Sequence, residues 1–211
     1  LEADRLLRVA DAAGVTLRVL GALAFKRRCP RYAHLQEMLG RTYTDIDFGG
    51  YGRQVKQIRR LLTTDGYVED EMTYVESQGS RLVFDHPATH LHLDVFLDKL
   101  EFCHTISWDG RLEIDRDTIP LAEMLMQKMQ IVEINEKDII DTIMLLLEHP
   151  LGEEDGDAIN VGHVARICAR DWGWWRTLTM NLDKVEQMAR AYPQLGEAEK
   201  SRVVAQVDAI L

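Results

Sequence analysis

The hydrophobic period of this chain changes near Pro120, and the change sets what its two parts can fold into. Upstream, residues 16–20, 41–48, 72–76, 81–85 and 91–97 read as strands, with alternation along 41–48 and apolar odd positions in 91–97. Between them, Gly21 opens a tight turn into a helix. Val55, Ile58, Leu61 and Leu62 recur at helical spacing up to a stop at Asp65-Gly66. Downstream the spacing is helical throughout. Asp117 or Thr118 can cap a helix with Pro120 in its first turn and Leu121, Leu125, Met129 and Val132 as its stripe. Asn135 with Asp138 resembles a capping box, opening a second helix whose apolar face is Ile139, Ile140, Ile143, Met144 and Leu147. Helices over 161–170, 182–191 and 198–211 follow, parted by Gly173 and by Pro193 and Gly196. The expected fold class is α+β, with a small mixed β-sheet and helices over residues 1–117 and a helical bundle over 118–211.

Composition removes several function classes. At 211 residues, 46% hydrophobic and 28% charged, the chain can bury a core. No apolar run reaches the roughly 20 residues of a membrane span. The 25 Lys and Arg against 35 Asp and Glu give a net charge of −10, which opposes binding to a long polyanion but leaves room for a local basic patch that holds a small anion. Cys29, Cys103 and Cys168 lack metal-ligand spacing and read as reduced thiols, so a cytoplasmic location is expected. The sequence opens on Leu1 with no signal-peptide pattern, as a processed or trimmed chain would.

The chemistry concentrates on Asp45-Ile46-Asp47. Alternation along a strand points both carboxylates to one face, and two adjacent negative charges attract a hard cation such as Mg²⁺. Asp94 lies in a second apolar strand, whose Leu91, Leu93, Val95 and Leu97 face the core. Were the two strands neighbours, three carboxylates would gather into a site for one or two metals, able to accept a proton from an attacking hydroxyl. Gly21 supplies a Cβ-free approach to phosphate, with Lys26, Arg27, Arg28 and Arg31 following it. A rival site shares the Asp94 strand: His90, His92 and Asp94 form a His-x-His-x-Asp array suited to zinc and to a hydrolase. Trp172, Trp174 and Trp175 form the one aromatic cluster, read as core packing ahead of a base-stacking platform.

Leu20-Gly21-Ala22, the run from Arg41 to Phe48 containing Asp45-Ile46-Asp47, and His92-Leu93-Asp94-Val95 together resemble the nucleotidyltransferase superfamily with the polymerase-beta-like fold. The run Arg41-Thr42-Tyr43-Thr44-Asp45-Ile46-Asp47 is similar to a bacterial branch containing toxin-type enzymes of abortive-infection systems. That branch carries a helical tail with a Lys and a Lys/Arg-Asp-x-x-Asp motif, matched by Lys128 and Lys137-Asp138-Ile139-Ile140-Asp141. The resemblance implies Mg²⁺-dependent transfer of a nucleoside monophosphate from a nucleoside triphosphate such as ATP to an unknown acceptor, whether small molecule, tRNA or protein. It implies two Mg²⁺ ions, with Mn²⁺ as a substitute. Asp45, Asp47 and Asp94 would be the metal ligands and Asp94 the base; Gly21, Ala22, Arg41 and Lys128 would contact the nucleotide. Asp138 and Asp141 are expected to cap or anchor the tail. Ala22 stands where the family more often has Ser or Gly, so a hydroxyl that could touch phosphate is missing. The alternative is a catalytically weak or inactive nucleotide-binding protein on the same fold.

Overall fold

The computed structural model describes residues 2–40, 43 and 45–211. In chain order its elements are α1 (Glu2–Ala12), β1 (Leu17–Leu20), α2 (Gly21–Arg28), α3 (His34–Met38), β2 (Asp45–Gly50), α4 (Val55–Thr64), β3 (Val68–Glu69), α5 (Glu71–Glu76), β4 (Arg81–Asp85), β5 (His92–Leu97), β6 (Lys99–Glu101), β7 (Thr105–Ser107), α6 (Leu121–Met129), α7 (Glu136–Glu148), β8 (Leu151–Gly152), β9 (Ile159–Asn160), α8 (Val161–Cys168), α9 (Trp172–Ala191) and α10 (Glu197–Ile210). The fold class is α+β. Two compact units divide the chain, one of Leu1–Ala24, Thr42–Leu100 and Thr105–Ile119, the other of Phe25–Arg41, Glu101–His104 and Pro120–Leu211. The last boundary falls two residues beyond the one expected at 117. Residues 25–41 and 101–104, expected with the first unit, group with the second, because a contact-defined unit need not be continuous in sequence.

The first unit is built on a five-stranded sheet in the order β1-β2-β5-β4-β3. β2 and β5 run parallel; the other pairings are antiparallel, which makes the sheet mixed. Register assigns its two faces. Leu17, Val19, Ile46, Phe48, Leu82, Phe84, Leu93, Val95 and Leu97 share one face and are all buried, as alternation demands of a core face. α4 covers it, with Ile58 Cδ1 3.2 Å from where a Cβ on Gly50 would stand. α1 packs beside β1 through buried Leu6, Leu7 and Ala10. The other face carries the polar residues of β2, β4 and β5. Its Gly49 end is closed by residues 108–115: Trp108, fully buried, donates its indole N–H to the Phe96 carbonyl at 3.0 Å, and Arg18 donates to the Leu112 carbonyl at 2.7 Å.

Three local expectations are corrected. Residues 72–76 are helical, because Asp70 accepts from the Met72 N–H at 3.1 Å and from the Thr73 hydroxyl at 2.6 Å, a cap that outweighs a short alternating pattern. Neither Asp117 nor Thr118 caps α6, whose N-cap is Pro120; Thr118 instead bridges in parallel to Val19. Gly173 does not separate helices, since α9 begins at Trp172 with the Asp171 side chain accepting from the Trp174 N–H.

Glu2, Arg5, Asp65 and Tyr67 tie α1 to the end of α4: Arg5 pairs with Glu2 and with Asp65 at 2.7 Å, and Tyr67 donates its hydroxyl to Glu2 at 2.9 Å. The Arg5 hydrogen bond holds the Glu2 carboxyl below its ordinary 4.5, against an opposing contribution from burial, with Tyr67 adding to the lowering. A depressed carboxyl contributes stability that is present above its unfolded value and lost as pH falls through the folded one. Urea melts should show wild type more stable than Glu2→Gln at neutral pH, with the gap closing below pH 4.5.

In the second unit α6 is buried along its whole length, and α7, α8, α9 and α10 complete a helical region. Asn135 caps α7 as the sequence suggests, accepting from the Asp138 N–H at 3.1 Å and donating to the Asp138 carboxylate at 2.8 Å. Trp174 is buried with His104 stacked on it at 4.7 Å, whereas Trp172 and Trp175 are exposed. Among the described residues no helix is long and apolar enough to cross a membrane.

Candidate active site

Asp45 and Asp47 open β2, and their alternation places both on the polar face. Parallel pairing sets Asp45 opposite His92 and Asp47 opposite Asp94, so all four side chains belong to one face of two neighbouring strands. This is the adjacency on which a three-carboxylate site depends. Asp45 is exposed and Asp47 half-buried, while Asp94 is buried.

Gly21 is explained by Asp47. β1 ends at Leu20, which pairs with Asp47, and α2 begins at Gly21 with φ +68°. A carboxylate oxygen of Asp47 occupies the space a Cβ on Gly21 would need, so this turn excludes side chains by sterics and by backbone conformation together. Gly21→Ala should destabilise the first unit by about 1–2 kcal/mol and displace Asp47. A thermal melt and a crystal structure of the variant check both effects.

Arg81, which opens β4, grips Asp94. Register puts Arg81 opposite Phe96, on the polar face, and its Nε and Nη2 donate to the two Asp94 oxygens at 2.6 and 2.9 Å. Hydrogen bonding to Asp94 raises the guanidinium pKa, with burial opposing and the charges of Asp94 and Asp47 adding to the rise. His92 bridges two carboxylates, its Nδ1 2.9 Å from Asp85 and its Nε2 3.5 Å from Asp94. The Asp85 hydrogen bond pushes the imidazole above 6.5; burial opposes, and Asp94, Asp85 and Asp45 add to the rise.

The His90-His92-Asp94 zinc array does not form. His90 precedes β5 with φ +56°, outside strand geometry, and His92 is committed to Asp85. Among the described residues no three His, Cys, Asp or Glu side chains converge as a cation-holding group. The three aspartates are included in that statement, and Arg81 holds both oxygens of Asp94. The donor chemistry nevertheless suits Mg²⁺: carboxylate oxygens only, two from one strand and a third in register beside them.

Arg41 lies outside the described residues. Ala22 follows Gly21 in the first turn of α2 and brings no hydroxyl. Lys128, in the second unit, is buried, with its ammonium 2.7 Å from Asp138 and 2.9 Å from Asp141. Burial opposes its charge, but Asp141 and Asp138 outweigh burial and hold its pKa above the usual lysine value. Asp141 is completely buried and also accepts from Gln36 at 2.6 Å. Asp138 and Asp141 thus pair with Lys128, a residue of the same unit.

No protein-family model and no curated protein sequence matches the chain. One solved structure is similar in outline, the solution structure of antibiotic-resistance factor ANT(2'')-Ia, with a TM-score of 0.46 and 15% identity over 79% of this chain and 91% of that one.

Arg81 is the residue the sequence reading passed over. Its signal was present: a lone Arg at the head of the apolar run Leu82-Val83-Phe84, on the same parity as Val83, which pairs with Asp94. Without strand order, nothing linked it to a carboxylate thirteen residues on.

Proposed function

We propose that this chain is a Mg²⁺-dependent nucleotidyltransferase, moving a nucleoside monophosphate from a nucleoside triphosphate to an acceptor hydroxyl and releasing pyrophosphate. The observation that carries the reading is the register of β2 against β5, which sets Asp47 beside Asp94 with Asp45 one pleat away, next to a Gly21 turn built around the Asp47 carboxylate. Asp45 and Asp47 would hold Mg²⁺, with Asp94 joining them. The ion supplies charge neutralisation on the phosphates and the in-line geometry of phosphoryl transfer. Asp94 takes the proton of the acceptor hydroxyl as its oxygen bonds to the α-phosphorus and the bond to pyrophosphate breaks. Arg81, one strand over, brings a positive charge to the site.

Labelled ATP, CTP, GTP and UTP, each with Mg²⁺ or Mn²⁺, should be screened for transfer to small molecules, tRNA and proteins. Incorporation into one class supports the reading and names the acceptor. Nucleotide binding without turnover moves the conclusion to a nucleotide-binding protein, for which Ala22 is the sequence sign. Binding of no nucleotide refutes both.

A further inference from the structure

We propose that Arg81 is an exchangeable counter-ion: it neutralises Asp94 while the site lacks a divalent cation, and passes to the triphosphate of the nucleotide when a cation takes Asp94. The proposal rests on the nucleotidyl-transfer reading above and assigns a positioning role that the reading alone does not require.

Four observations lead to it. The grip is bidentate, 2.6 and 2.9 Å, so a cation approaching either oxygen of Asp94 meets one already bonded to the guanidinium and its positive charge. The pair is asymmetric, with the Asp94 side chain 9% exposed and that of Arg81 40% exposed. The carboxylate is set into the sheet, whereas the Arg81 side chain, its guanidinium carbon 5.4 Å from the Phe96 ring centre, is the more exposed of the two and the member placed to move. The pair is not needed to join the strands, since β4 and β5 already run in continuous register from Arg81 opposite Phe96 to Asp85 opposite His92. Finally, the charge of Arg81 faces Asp47 as well as Asp94, so a divalent ion entering between these carboxylates meets a resident positive charge and repels it. The fork that matches a carboxylate matches a phosphate equally well, which gives the displaced guanidinium a partner as soon as the nucleotide is bound.

The test is a pair of titrations that should move in opposite directions. Binding of Mn²⁺ alone, read from the electron paramagnetic resonance of the free ion, should be about three- to tenfold tighter in Arg81→Gln than in wild type, because the competitor for Asp94 is gone. Calorimetry with the tightest-binding of four Mg-nucleoside triphosphates should show affinity about tenfold weaker in the same variant. Arg81→Lys, which keeps the charge without the fork, should retain wild-type Mn²⁺ affinity and lose nucleotide affinity, and it carries the test if Arg81→Gln fails to fold. Arg81→Gln combined with Asp94→Asn should lose the gain in Mn²⁺ binding. Mn²⁺ affinity unchanged or weaker in Arg81→Gln would overturn the proposal and make Arg81 a fixed support for Asp94, leaving nucleotidyl transfer standing. Tighter Mn²⁺ with unaltered nucleotide affinity would refute the hand-over. Wild type that binds neither Mn²⁺ nor any nucleotide would remove the nucleotidyl-transfer reading, and this proposal with it.

Discussion

Asp45→Asn and Asp47→Asn should each lower Mg²⁺-dependent nucleotide transfer by at least about a hundredfold while leaving the melting temperature unchanged or slightly raised. The two effects separate because they have different origins. Each substitution keeps the shape of the side chain and removes a negative charge from a face that already holds its neighbours and Asp94. Relief of like-charge repulsion favours the metal-free fold, whereas loss of an anionic oxygen weakens the site for a hard cation. Transfer assays, metal analysis and thermal melts on the two variants measure both sides. His90→Ala should leave transfer in place, since His90 stands outside β5. Retained transfer in Asp45→Asn and Asp47→Asn, or a stoichiometric zinc ion lost from His90→Ala and His92→Ala, would remove the Mg²⁺ mechanism.

Lys128→Met should be the most destabilising of the substitutions considered, by about 3–5 kcal/mol and a melting-temperature loss on the order of 10 °C. Asp141, fully buried, and Asp138, partly buried, would both lose the ammonium that pairs with them, and the Gln36 amide cannot replace its charge. The side chain of Lys128 also runs by Phe25, with its nitrogen 5.3 Å from the ring centre, so Met retains much of the apolar packing and isolates the loss of charge. Adding Asp141→Asn to Lys128→Met should recover a large part of the loss, as expected when an orphaned buried charge is the cause. A Lys128→Met protein as stable as wild type would show that the network contributes nothing to the second unit.

Several elements were legible because each rests on interactions within a few residues. The strand at 81–85 follows from a short apolar run between polar ends and the helix beginning at Val55 from helical spacing, and Asn135 and Gly21 were visible as cap and turn. Where local cues competed, reading failed. Met72-Thr73-Tyr74-Val75 alternates like a strand, yet Asp70 two residues earlier makes it a helix. α1 went unread, although Leu6, Leu7 and Ala10 are its buried face, because its charged residues carry no cap signal.

The site divides in the same way. Asp45 and Asp47 share a face because every strand alternates, so their pairing is a property of spacing and needed no fold to be seen. That Asp94 stands beside Asp47 depends on β2 and β5 being neighbours, in parallel and in that register, and a slip of one residue would have turned Asp94 into the core. The tertiary structure likewise made the difference between a zinc array and none, by placing His90 outside the strand. It also brought Arg81 to Asp94 and Lys128 to Asp138 and Asp141, contacts that arise from strand order and helix packing. Sequence by itself determined the identity and parity of the chemical groups, since backbone geometry repeats every two residues in a strand and every 3.6 in a helix. Only the tertiary structure decided which groups neutralise one another, because that choice is made between segments by the burial of apolar faces, and the charges go where those faces leave them.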